Sequence, residues 1–247
     1  MPVEQTVRGV VLRRRDSGES DASITLLSAE LGKFDLVARG AKKPTSRLKG
    51  VAEPLSSGTY TFAKGKARKF VTQAQPERGF PLLRSDYDRL NIALAFAELV
   101  GEVAPYEEPS DELYELVVTC LRFIESHPKP VVALVWCETE LLKLTGFLPS
   151  FAICTVSGES VQEAEPYISP SAGGYITFLS ANNFRDRVKT KAEILYGLNA
   201  ISQLAAPPNN LKYAQETLSL LTHFWQHITE SKLPSRLNLL KAISNQR

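Results

Sequence analysis

The pattern of apolar and polar positions changes period once along the chain. Over residues 1–80, apolar residues come in short β-like runs broken by turn residues. In Thr6–Arg15, Val7, Gly9 and Val11 share one face while Arg8, Val10 and Leu12 share the other, so both faces carry apolar positions. Asp16-Ser17-Gly18-Glu19 is turn material, and Ala22–Ser28 is a second apolar run. Phe34–Gly40 sets Phe34, Leu36 and Ala38 against Asp35, Val37 and Arg39. Thr59–Ala63 and Lys69–Ala74 flank Lys64-Gly65-Lys66-Ala67-Arg68. Five short strands with no helical period predict a small barrel or sandwich, and the five-stranded OB-fold barrel is the natural candidate.

After Pro81 the period becomes helical. Ser85-x-x-Asp88 resembles a capping box ahead of Leu90, Ala93, Leu94, Ala97 and Val100. Ser110 is placed to cap a helix whose Leu113, Leu116, Val117, Cys120, Leu121 and Ile124 form an apolar stripe. Pro130 opens a third helix, closed by Gly146. Residues 149–189 lose the period and read as a loop-rich insertion with short strands around Tyr167 and over Tyr175-Ile176-Thr177-Phe178. Thr190-x-x-Glu193 predicts a fourth helix to about Leu204, a fifth spans 210–230, and Pro234-Ser235 starts a sixth. The expected division is an α+β chain of four parts: a barrel at 1–80, helices at 81–148, the insertion at 149–189, and helices at 190–247.

Composition adds boundaries to this picture. The 247 residues are 43% hydrophobic and 23% charged, which excludes wholesale disorder. No apolar run approaches the roughly 18–20 residues needed to cross a bilayer, so no membrane partner is expected. Met1-Pro2-Val3-Glu4-Gln5 lacks the basic and apolar regions of a secretory leader. Three widely spaced cysteines, Cys120, Cys137 and Cys154, fit a reducing cytosol better than a disulfide framework. Charge is uneven: residues 1–80 hold 15 Lys and Arg against 8 Asp and Glu, a formal +7, whereas the remainder holds 14 against 19, a formal −5. A basic front attracts polyanions, because neutralising a phosphate releases condensed counterions.

Chemistry-bearing motifs are few. Gly65-Lys66-Ala67 lacks the first glycine and the hydroxyl of a phosphate-binding loop, and Gly158-Glu159-Ser160 lacks the last glycine of a nucleophile elbow. His223 and His227 have metal-ligand spacing but no intervening Glu, so a packed or exposed helix face is expected. Glu107-Glu108, Asp111-Glu112 and Glu138/Glu140 are read as acids near helix starts or on solvated faces. Cys120 and Cys137 fall on apolar stripes and are expected in the core. With no nucleophile or general-base set, a binding protein is expected rather than an enzyme, with no cofactor and no metal. The positive candidates are the basic clusters Arg13-Arg14-Arg15, Arg39 with Lys42-Lys43, Arg47 with Lys49, and Lys64, Lys66, Arg68 and Lys69. Phosphate contacts from such clusters give affinity without sequence preference. Tyr60, Phe62 and Phe70 are candidate stacking faces, although Phe62 is expected in the barrel core and Tyr60 is left open between the two roles. Gly40–Gly50, with four basic residues, reads as too polar to be core. A solubilising surface, or a scaffold whose basic face meets an acidic protein, is the alternative.

Arg8-Gly9-Val10-Val11-Leu12, Ile24-Thr25-Leu26-Leu27 and above all Gly32-Lys33-Phe34-Asp35-Leu36-Val37-Ala38-Arg39-Gly40-Ala41-Lys42-Lys43 resemble the start of the RecO family of bacterial recombination mediators. Leu141-Leu142-x-Leu144-x-Gly146-Phe147-x-Pro149 and the closing Ser231-Lys232-Leu233-Pro234-Ser235-Arg236 are similar to later parts of that family. The resemblance implies an N-terminal OB-fold, a helical domain and a zinc-ribbon-like insertion. It also implies binding and annealing of single- and double-stranded DNA, partnership with RecR and the C-terminal tail of the single-strand-binding protein, and a cytoplasmic, nucleoid-associated location. Zinc-holding relatives carry two Cys-x-x-Cys pairs in the insertion. The matching positions here are Cys154-Thr155-Val156-Ser157 and Thr177-Phe178-Leu179-Ser180, so only one thiol remains. Four N or S donors are required for a structural zinc, and a metal-free insertion held by Tyr167, Ile168, Tyr175 and Phe178 is therefore expected.

Overall fold

The computed structural model describes residues 4–77 and 79–245. All five expected strands form: β1 (Glu4–Ser17), β2 (Asp21–Ser28), β3 (Gly32–Ala38), β4 (Ser57–Lys64) and β5 (Lys69–Pro76). They close into a barrel of order β1-β2-β3-β5-β4, with every pairing antiparallel except the parallel contact of β3 with β5 at Val37 and Phe70. The long β1 makes closure possible. Its first half pairs with β4, its second half with β2, and a bulge between Val11 and Arg13 turns it. Val7, Val11, Ile24, Leu26, Phe34, Leu36, Tyr60 and Phe62 fill the interior.

The double-sided apolar pattern of β1 has a simple cause. Val7 and Val11 face the barrel core, while Val10 and Leu12 are also buried on a strand that packs against α2 (Tyr87–Val103). A five-residue helix, α1 (Pro81–Ser85), precedes α2 and is too short to show a period. The capping of α2 differs from expectation. Asp86, rather than Ser85, accepts the amides of Asp88 and Arg89 at 3.0 Å, and Ser85 instead donates to the Leu82 carbonyl. A carboxylate at the helix start also meets the positive end of the helix dipole.

Two compact units divide the chain, Met1–Glu125 and Ser126–Arg247. The division falls inside the helical stretch 81–148, so α1, α2 and nearly all of α3 (Asp111–Ser126) belong with the barrel.

The second unit contains α4 (Pro130–Leu144), β6 (Tyr167–Ser169), β7 (Gly174–Ile176), α5 (Phe178–Ala181), β8 (Val188–Lys189), α6 (Ala192–Ile201), α7 (Ala214–Thr229) and α8 (Pro234–Ser244). Helix α7 packs against α4, α6 and α8. The expected capping box at Thr190 does not form: Lys191 is the cap position of α6 and gives no side-chain bond, while the Thr190 amide donates to the Pro166 carbonyl. Cys120 and Cys137 are buried as expected.

Glu138 corrects the expectation of a solvated acid. It is fully buried, ion-paired with the fully buried Arg236, and accepts from Trp225 Nε1 at 3.1 Å. Arg236 also donates to Thr222 Oγ1 at 2.8 Å and to the Leu218 carbonyl at 2.9 Å. One charged pair thus ties α4, α7 and α8 together. Nothing in local sequence signals it, because the partners are 98 residues apart.

The insertion is a three-stranded sheet of order β7-β6-β8. Ile168 and Tyr175 are buried as expected, but Phe178 opens α5 instead of extending a strand and is 64% exposed, meeting Tyr167 in a tilted ring contact at 6.3 Å between ring centres. Hydrogen bonds do part of the work assigned to it. Asp186 accepts from the Ser169 and Ser171 hydroxyls and the Ser171 amide, and Tyr175 donates to Glu163 at 2.7 Å. The four positions compared with zinc ligands do gather: Cys154 Sγ accepts from the amides of Ser157 and Thr177 at 3.4 Å, and the Thr177 and Ser180 hydroxyls are 3.2 Å apart. One thiol among three hydroxyl residues does not fit zinc.

Candidate nucleic-acid interface

A concavity of the first unit opens at one end of the barrel. It holds about 550 Å³ and is lined on one side by the end of β1 (Arg15, Asp16, Ser17) and on another by Lys64–Lys69, the turn between β4 and β5. Asp35 and Val37 of β3 and the loop residues Tyr106 and Glu107 complete it. The turn is tight because the Gly65 amide donates to the Arg68 carbonyl at 2.8 Å. That geometry throws Lys64, Lys66 and Arg68 into solvent.

Five of the twelve basic residues singled out from sequence line this groove: Arg15, Lys64, Lys66, Arg68 and Lys69. Lys69 is the half-buried one. It is ion-paired with Glu107, and its ammonium lies 5.2 Å from the centre of the Phe34 ring. Lys42 reaches the rim, where its ammonium is 3.2 Å from the Asp16 carboxylate and also donates to the Gly18 carbonyl. Arg39 stacks its guanidinium 4.0 Å from the centre of the Phe70 ring. Arg13 stands 4.0 Å from Glu102, and Arg14 is paired with Glu53. Lys43, Arg47 and Lys49 are exposed on the loop between β3 and β4 and do not line the groove. Arg15, Lys43, Arg47, Lys49, Lys64, Lys66 and Arg68 form no ion pair among the described residues.

The loop between β3 and β4 is less polar in effect than in composition. Ala41, Val51 and Ala52 are buried in the barrel core and Leu48 packs against it. Tyr60 joins that core, its hydroxyl donating to the Val51 carbonyl at 2.7 Å, and burial pushes its pKa up. Phe62 is in the core as expected.

Sequence reading missed the segment after α2. Tyr106 pairs with Lys33 as an isolated bridge on the edge of β3, the Glu107 amide donates to the Lys33 carbonyl at 2.8 Å, and the Ser110 amide donates to the Ala29 carbonyl at 3.2 Å. Lys33 donates in turn to the Gly101 carbonyl at 2.7 Å, and burial lowers its pKa. Gly32, at φ +64°, permits this approach, because a Cβ there would lie 1.9 Å from the Glu108 carbonyl oxygen. A lone tyrosine between Pro105 and Pro109 was the available signal. Among the described residues, no three His, Cys, Asp or Glu side chains gather to hold a metal ion, and no helix is long and apolar enough to cross a membrane.

A closed five-stranded barrel with this strand order, followed by helices, defines an OB-fold protein with an appended helical part. Comparison with known proteins narrows the class. Residues 1–80 match the N-terminal domain of recombination protein O, and residues 84–240 match its C-terminal domain. The chain is 35% identical over 173 residues to the DNA repair protein RecO of Heliobacterium modesticaldum, covering 68% of this chain and 63% of that one. The figure is 35% over 167 residues for Desulfitobacterium hafniense RecO, covering 68% and 61%. These two matches thus span just under two thirds of each relative's length. The RecO of Anaeromyxobacter sp. strain K is 32% identical over 235 residues, covering 92% of both chains. The chain belongs to the RecO family of recombination and DNA repair proteins.

Proposed function

We propose that this protein binds single- and double-stranded DNA through the barrel groove and mediates recombination by annealing complementary strands, with RecR and the single-strand-binding protein as partners. The observation that carries the reading is a cluster of cations, Arg15, Lys64, Lys66 and Arg68, that line one concavity and form no ion pair among the described residues. Neutralising phosphates lowers the repulsion between two strands, so pairing proceeds without a covalent step and the role is positional rather than enzymatic. Lys42, Lys43, Arg47 and Lys49 extend the positive field along the loop between β3 and β4. A nucleoid-associated place in the cytoplasm follows from such a role.

The acidic, apolar tail of the single-strand-binding protein needs a pocket of complementary chemistry. The second unit has a hollow of about 340 Å³ where Val188, Ile194 and Leu220 lie beside Lys189, Lys191 and His223, with Glu216 and Glu165, the ion-pair partner of Lys189, also on its lining. It is the site proposed for that tail.

The deciding experiment is anisotropy of labelled single- and double-stranded DNA across a salt series. Because the slope of log affinity against log salt is about −0.7 per neutralised phosphate for single strands, K64E/K66E/R68E is expected to lower affinity, reduce annealing and shallow the salt slope by about 2. Unchanged affinity and slope overturn the reading. Tight binding to an acidic protein partner with negligible DNA affinity at low salt replaces it with a scaffold role.

A further inference from the structure

We infer that Tyr106 is the base-stacking residue of the groove and biases it toward single-stranded nucleic acid. This rests on the groove reading proposed above and adds what the cationic side chains cannot supply. Lysine and arginine reach the phosphates of one strand or two. A π-face rewards only a base whose own face is open, and in a duplex the neighbouring pairs cover it.

The barrel itself offers no free aromatic face to this groove. Phe34, Tyr60 and Phe62 are buried in its interior, and Phe70 is half-buried beneath the Arg39 guanidinium. Tyr106, by contrast, lines the groove and is 57% exposed. More than half of this aromatic residue is thus left in water beside a row of cations.

Its backbone is not loose. The bridge to Lys33, the Glu107 and Ser110 amide bonds and the close seat on Gly32 fix the segment to the β2–β3 hairpin. Glu107 holds a left-handed backbone, φ +55°, that costs energy for a residue with a side chain, and its carboxylate is pinned by Lys69. A strained residue persists only where its surroundings over-determine it, so the backbone beside the Tyr106 ring is held in place. The geometry also divides the labour. Lys69 is spent holding Glu107 and hence the platform, while Arg15, Lys64, Lys66 and Arg68 stay available for phosphates. Holding the ring in place before binding avoids an ordering cost when a base arrives.

The test uses the full chain with three labelled probes of equal length: oligothymidylate, an abasic single strand and a duplex. Y106A is expected to weaken oligothymidylate binding about tenfold and to leave the abasic strand and the duplex within about twofold. Its salt slope stays unchanged, since no phosphate contact is lost. Y106W is expected to restore affinity, with its indole emission quenched by oligothymidylate and not by the abasic strand. Equal loss on all three probes, or no loss on oligothymidylate, overturns the inference. R68E combined with K66E separates this from failure of the groove reading. If that pair leaves all three probes unaffected, the groove is not the interface and both statements fall. If it weakens all three while Y106A does not discriminate, only the stacking role falls. Unchanged circular dichroism of Y106A establishes that the fold is intact.

Discussion

At the scale of single residues, Gly32 shows how one atom decides an arrangement. It ends the β2–β3 turn at φ +64°, and any side chain there would strike the Glu108 backbone. G32A is expected to cost about 2–3 kcal/mol, from left-handed strain plus displacement of the docked segment. Urea unfolding followed by far-ultraviolet circular dichroism measures it, and a cost under about 0.5 kcal/mol would mean the segment is not seated there. Cys154 carries a pH dependence. Burial would raise its thiol, but hydrogen bonds from the Ser157 side chain and from the Ser157, Val156 and Thr177 amides outweigh that and bring it from 9.0 down to about 7. An acid whose folded pKa is depressed stabilises the fold above its unfolded value and loses that contribution as pH falls through the folded one. The wild type is therefore expected to gain stability from pH 7 to 9, and C154S to lose most of that gain. Parallel pH profiles of the two proteins would refute the assignment.

At the scale of elements, the strands were legible as short apolar runs between turn residues, although β1, β2 and β3 bury residues on both faces and only β4 alternates cleanly; all five begin and end within two residues of the expected limits. The helices were legible through their apolar stripes, whereas α1 and α5, at five and four residues, are shorter than the window that shows a period. The site was legible only as a list of charges. Which charges stay free depends on partners far along the chain: Arg14 is spent on Glu53, 39 residues away, and Lys69 on Glu107, 38 away. Tyr106 was hidden for the same reason, since it joins the groove by pairing with Lys33 on a strand 73 positions earlier. The Glu138–Arg236 pair is the strongest case. The arginine of the closing Ser-Arg motif proves to be a buried clamp on α4 and α7. Removing one partner strands a charge, so E138Q or R236M is expected to cost about 3–5 kcal/mol, while E138L/R236M recovers most of it. Denaturant midpoints of the three variants measure this, and additive losses in the double variant would show that the pair is not coupled.

At the scale of the whole molecule, charge and stability are distributed differently. The groove belongs entirely to the unit Met1–Glu125, and the buried clamp belongs entirely to Ser126–Arg247. Each unit has its own core, so unfolding need not be a single all-or-none step. The two tryptophans make this measurable, because Trp136 and Trp225 both lie in the second unit. Trp225 also donates to Glu138, so its emission reads the clamp directly. E138Q is expected to lower the tryptophan-detected melting midpoint while leaving DNA affinity, measured below that midpoint, within about twofold of wild type. G32A is expected to do the reverse, weakening the barrel transition and sparing the tryptophan signal. The contrast follows from where each side chain sits, since a local loss travels only as far as the cooperative unit that contains it. If DNA affinity instead falls in step with the tryptophan midpoint for E138Q, the two units fold as one. The groove's cations would then depend on the second unit for their arrangement.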